Sequence, residues 1–153
     1  MNILLLGATG SIGKSVLSVI NQNNSELSLF GIAFNKNTIE ANNIVKNFAP
    51  SYVYIDDYGT FRNQNPTIKT KYINGDSALA DLINHEDVDI IICAISGFAG
   101  LKAAYIAAST GKKILLANKE SIVAGGDIIL PLANSNNSEI IPIDSEHNAI
   151  FQC

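Results

Sequence analysis

The sequence predicts an α/β fold, a doubly wound and mostly parallel sheet with helices on both faces. Three observations predict it. Short apolar runs alternate with longer amphipathic stretches, the pattern of successive βαβ units. Three of those runs, at Ile3–Leu6, in "VDIIICAI" and in "KILLAN", are near-continuous, as in strands covered on both sides. A glycine-rich turn, "GATGSIG", follows the first run directly and opens the first helix.

The elements follow in order. After the strand at Ile3–Leu6, a helix spans about Ser11 to Asn21, with Ile12, Val16, Leu17 and Ile20 on one face. A second strand runs from about Leu27 to Phe34. Asn37 then reads as an N-cap with Glu40 as its capping-box partner. The helix behind it carries Ile39, Ile44, Val45 and Phe48, and Pro50 marks its end. "SYVYID" is a third strand, Asp57–Thr70 reads as mostly loop, and "KYIN" as a short edge strand. Asp76 caps a helix with Leu79, Leu82 and Ile83. After "VDIIICAI" comes an Ala-rich helix, "GLKAAYIAASTG", with Gly111 as its C′ stop. "KILLAN" precedes a helical pattern interrupted by Gly125 and Gly126. "EIIPID" is the last strand, and its Pro142 suggests a sheet edge or the strand's final residue. "SEHNAIFQC" begins another helix, so the expected division is a nucleotide-binding domain over 1–143 and the start of a further part at 144–153, in a chain read as a piece of a longer protein.

Composition sets the limits. In 153 residues, 47% are hydrophobic and 16% charged, enough apolar mass for a core without disulfides. The net charge of −4 and the single arginine, Arg62, argue against a nucleic-acid platform. No apolar run approaches the ~20 residues of a membrane span. The N-terminus lacks the basic leader of a signal peptide. Cys93 and Cys153 make no disulfide framework, which fits a reducing cytoplasm.

The candidate chemistry lies after the strands. In Gly7-Ala8-Thr9-Gly10-Ser11-Ile12-Gly13 the glycines permit a tight turn, close approach of backbone to a diphosphate, and helix-on-strand packing. The helix start and the hydroxyls of Thr9 and Ser11 add donors. This makes the fold Rossmann-like. An NAD site places a carboxylate at the end of the second strand, but this chain has Asn35-Lys36-Asn37, which suits a 2′-phosphate and favours NADPH. Ser96-Gly97, Asn118-Lys119-Glu120 and Asp144-Ser145-Glu146-His147 also follow strands, where the carboxyl ends of a parallel sheet face one crevice. Asp144 and Glu146, at i and i+2, point the same way in an extended segment and form a partial Mg2+ or Mn2+ site, or cap and charge a helix start. His147 reads as a proton-transfer or orienting group, or as structural.

"LGATGSIG", "LLANKES" and "DSEHNAIFQ", in this order, resemble the 1-deoxy-D-xylulose 5-phosphate reductoisomerase family over the whole chain. The resemblance implies a cofactor-binding part holding NADPH through Gly7, Thr9, Gly10, Ser11 and Ile12 at the diphosphate. It implies Asn35, Lys36 and Asn37 at the 2′-phosphate, although Asn35 stands where many members have glycine, and Asn118 and Glu120 near the nicotinamide. It implies Asp144 and Glu146 as ligands of Mn2+ or Mg2+, Lys119, Ser145 and Glu146 as contacts to a phosphosugar, and Lys119, Glu146 and His147 as catalytic. The implied reaction is rearrangement and reduction of 1-deoxy-D-xylulose 5-phosphate to 2-C-methyl-D-erythritol 4-phosphate, by a cytoplasmic homodimer with no nucleic-acid or membrane partner. The 153-residue chain alone is expected to bind NADPH without turnover. Two other readings stay open: an NADP-dependent dehydrogenase of semialdehyde or homoserine type, and a non-catalytic nucleotide-sensing module.

Overall fold

The computed structural model describes residues 1–56, 61, 63–64 and 68–143. Seven strands form one sheet: β1 (Asn2–Leu6), β2 (Ser28–Phe34), β3 (Tyr52–Ile55), β4 (Lys71–Ile73), β5 (Ile90–Cys93), β6 (Lys113–Leu116) and β7 (Glu139–Pro142). Their order is β4-β3-β2-β1-β5-β6-β7 and every pairing is parallel. The helices are α1 (Ser11–Gln22), α2 (Thr38–Phe48), α3 (Asp76–Asn84), α4 (Ala99–Ala108) and α5 (Lys119–Ser135).

Alternation along each strand divides the core in two. Ile3, Leu5, Ile32, Val53 and Ile92 pack under α1 and α2 with Leu17, Ile20, Ile44 and Val45. Leu4, Leu6, Tyr54, Ile91 and Ile114 pack under α3, α4 and α5 with Leu79, Leu82, Ala103 and Ile129. The continuous apolar runs are therefore strands buried on both faces. Leu4, Leu5 and Leu6 are fully buried, each worth about 1.5–3 kcal/mol. In β2 the register jumps from Ile3–Leu29 to Leu4–Gly31, so Phe30 is the extra residue of a bulge. Phe30 turns to the α3–α5 side and meets Tyr52 and His85, with ring centroids 5.4 and 4.8 Å away.

The chain leaves β1 through α1 toward β2 and leaves β5 through α4 toward β6, in opposite directions across the sheet. The boundary between β1 and β5 is thus the topological switch point, where such sheets bind ligands at the strands' carboxyl ends.

Several sequence readings need correction. Ile12 does not join the buried face of α1 but stands 37% exposed. Asp76 is the first residue of α3, not its cap; Gly75 takes that place at φ +88°. Glu40 does not close a capping box but pairs with Lys14 at 3.7 Å. Ser109 caps α4, and Gly111 lies two residues beyond it at φ +73°. Gly125 and Gly126 do not interrupt α5, which runs unbroken through Pro131. The reading of Pro142 stands on both counts: it is the last residue of β7, and β7 is an edge strand.

Candidate functional site

Five strands end level with one another. The residue just beyond each donates its N–H to the neighbouring strand: Asp56 to Phe34 O, Gly7 to Ala33 O, Ala94 to Leu6 O, Ala117 to Cys93 O and Ile143 to Leu116 O, all at 2.8–3.1 Å. These bonds draw a continuous rim. At its centre a cleft of about 310 Å³ opens over the switch point, lined by Gly7, Thr9, Gly10, Asn35, Asp56 and Ser96 among others. Two larger grooves, of about 570 and 530 Å³, lie between α1 and α2 and between α4 and α5, and neither contains a residue of the glycine turn.

The three glycines of the turn do different work. Gly7 sits at φ +91°, and a Cβ there would lie 2.4 Å from Ala94 O. A Cβ on Gly13 would lie 2.4 Å from Ala8 O, so its bare backbone lets α1 rest on the turn. Gly10 has an ordinary extended conformation, φ −82° and ψ 176°, and a Cβ there would meet nothing nearer than 3.4 Å. The fold itself does not require glycine at 10, and its bare backbone leaves the turn open to close approach by a ligand. The first intrahelical bond of α1 runs from Lys14 N–H to Gly10 O. The amides of Ser11, Ile12 and Gly13 precede it and have no helical acceptor, no side chain caps them, and no acidic residue stands in the first turn. Three open donors at a helix's positive end fit a diphosphate.

Asn35, Lys36 and Asn37 follow β2 beside this turn, all exposed. Asn37 caps α2, its Oδ1 accepting from Glu40 N–H at 3.1 Å, which leaves its Nδ2 to donate elsewhere. Glu40 is held by Lys14 at 3.7 Å, so its carboxylate does not compete for the end of β2, and Asp56 stands one strand over, at the end of β3. This donor set fits a 2′-phosphate.

The start of α5 is built differently. Asn118 is 2% exposed. Its Oδ1 accepts from Ser121 N–H at 2.9 Å, and its Nδ2 donates to Ile95 O at 2.5 Å and Gly97 O at 2.8 Å. The side chain expected near the nicotinamide is therefore committed to the fold, tying α5 to the loop after β5. Gly100 is its complement: a Cβ there would lie 2.2 Å from Asn118 Nδ2. Lys119 and Glu120 stand exposed at the same helix start, on the rim. Asp144, Ser145, Glu146 and His147 lie outside the described residues. The parallel direction of β7 brings the chain to the rim at Ile143, immediately before them. Among the described residues, no three His, Cys, Asp or Glu side chains group as a metal site.

Sequence reasoning missed part of the cleft. Tyr54, Asp76 and Lys102 also line it. Lys102 Nζ pairs with Asp76 Oδ2 at 2.6 Å, bridging α4 and α3. Burial, then Asp56, then Asp76 push the Tyr54 phenol up. Asp56 follows a strand as the other polar clusters do, and that was the available signal. Cys93 is fully buried and its thiol is pushed up to about 12 by burial, so it is inert at neutral pH.

Comparison with known proteins decides the family. The model of the 1-deoxy-D-xylulose 5-phosphate reductoisomerase family matches residues 3–126. The chain belongs to that family. The reductoisomerase of Ruthia magnifica is 40% identical over 154 residues, covering 99% of this chain and 40% of the relative. This chain thus spans about 40% of the length of the curated reductoisomerases it matches. A solved reductoisomerase structure, described as a complex with NADPH, fosmidomycin and magnesium, superimposes with a TM-score of 0.94 at 36% identity, covering 100% of this chain and 38% of that one. Homoserine dehydrogenase of S. aureus matches at a TM-score of 0.58 and 19% identity, over 94% of this chain and 32% of that one, and shares the fold alone. No helix among the described residues is long and apolar enough to cross a membrane.

Proposed function

We propose that this chain binds NADPH and forms the cofactor-holding part of a reductoisomerase that converts 1-deoxy-D-xylulose 5-phosphate to 2-C-methyl-D-erythritol 4-phosphate. The observation that carries the cofactor is the open start of α1 beside Lys36, with Glu40 drawn off by Lys14. The reductoisomerase likeness and the NADPH and magnesium of the solved relative support the rest.

In this reading the turn from Gly7 through Thr9, Gly10, Ser11 and Ile12 seats the diphosphate. Asn35, Lys36 and Asn37 hold the 2′-phosphate. Asn118 positions the nicotinamide end indirectly, by fixing the loop after β5, while Glu120 faces the rim. Lys119, Ser145 and Glu146 bind and orient the phosphosugar, and His147 holds or moves a proton. Asp144 and Glu146 hold Mn2+ or Mg2+, which supplies Lewis-acid polarisation of a carbonyl when bound. NADPH supplies the hydride, and the protein supplies position. We place the enzyme in the cytoplasm as a homodimer. The 153-residue chain carries two acidic ligands for the metal and binds cofactor without turnover.

Calorimetric titration with NADPH and NADH tests this. A hydrogen bond to a charged group is worth about 1.5–3 kcal/mol, so NADPH binds roughly tenfold or more tighter. Lys36→Ala narrows that gap by weakening NADPH alone. Equal affinity for the two cofactors in the wild type overturns the reading.

A further inference from the structure

One charge in the cleft is unexplained by phosphate binding. Asp56 follows β3 and lines the cleft with Gly10 and Asn35. The other carboxylate there, Asp76, is neutralised by Lys102. The Asp56 side chain has no such cation among the described residues. A carboxylate in a cleft that takes a polyanion lowers affinity unless it faces a donor.

Strand order shows which part of the ligand it faces. The glycine turn lies over β1, Asn35–Asn37 over β2, and Asp56 over β3, the next strand along. The level rim keeps them in line, since Gly7 N–H donates to Ala33 O and Asp56 N–H to Phe34 O. Neighbouring strands are about 4.8 Å apart, so Asp56 lies about 10 Å across the rim from the turn. A dinucleotide with its diphosphate over β1 and its 2′-phosphate at Lys36 carries its purine one strand step further, over β3. Tyr54, two residues before Asp56 on β3, lines the cleft with it. The 6-amino group is the exocyclic donor that adenine presents.

We propose that Asp56 is the base-recognising residue of this site, its carboxylate accepting a hydrogen bond from the adenine 6-amino group. The inference rests on the NADPH reading above. It assigns Asp56 specificity for a 6-aminopurine over a 6-oxopurine, whose oxygen the carboxylate repels.

The test is titration of wild type, Asp56→Ala and Asp56→Asn with NADPH and with its hypoxanthine counterpart. Asp56 is exposed, so thermal melting of the free variants should match wild type. Wild type prefers NADPH about tenfold. Asp56→Ala loses that preference through weaker NADPH binding. Asp56→Asn also loses it, but by gaining the hypoxanthine form while keeping NADPH, because the amide can turn to accept from the 6-amino group or to donate to the 6-oxo group. Equal changes for both dinucleotides in Asp56→Ala, whether from a sugar contact or from relief of charge repulsion, overturn the inference and leave NADPH binding standing. No NADPH binding by wild type overturns the cofactor reading, and this inference with it.

Discussion

The starts of α1 and α5 sit on the same rim, each just after a buried strand, yet they are finished in opposite ways. At α1 the cap is Gly10, with no side chain, and the amides of Ser11, Ile12 and Gly13 stay open. At α5 the cap is Asn118, whose side chain takes the Ser121 amide and reaches back to Ile95 and Gly97. Both ends carry the same partial positive charge from the helix dipole. Between these two ends the difference is whether a side chain already occupies the donors; α3 and α4 also start without a side-chain cap, and what marks α1 out is the bare glycine turn beside its open amides. The Asn37 cap of α2 is intermediate: it satisfies Glu40 N–H and keeps its Nδ2.

The comparison can be broken by substitution. Gly7→Ala forces a side chain into positive φ and into Ala94 O. Backbone strain and overlap together cost about 3–5 kcal/mol, and chemical denaturation should show a collapse of stability. Asn118→Ala removes a cap and strips partners from Ile95 O, Gly97 O and Ser121 N–H. It should cost about 2–3 kcal/mol in the same assay. If it instead leaves stability unchanged and abolishes NADPH binding, α5 is the ligand site and the contrast is wrong. Gly10→Val sharpens the other side. Its backbone geometry admits any residue, so melting should hardly move, while NADPH affinity falls by about tenfold or more as the side chain fills the diphosphate's place.

Much of this was legible in the sequence because it is local. The runs at β1, β5 and β6 read as strands buried on both faces, and the two core clusters show why. The glycine turn and Lys36 were legible because their positions depend only on the strand before and the helix after. Gly125 misled because its role is tertiary: a Cβ there would lie 2.7 Å from Leu101 Cδ1, so it lets α4 and α5 approach and does not break the helix. Asn118 reads as a polar rim residue until its three hydrogen bonds and the matching Gly100 are seen. Tyr54, Asp56, Asp76 and Lys102 come from β3, its end, α3 and α4, and only the sheet order brings them to one cleft.

The most direct test is amide chemical-shift mapping of the chain as NADPH is added. The account predicts large changes at the amides of Ser11, Ile12 and Gly13, which have open donors, and little change at Ser121, whose amide is already bound. A strong shift at Ser121 with the α1 amides unmoved would contradict it.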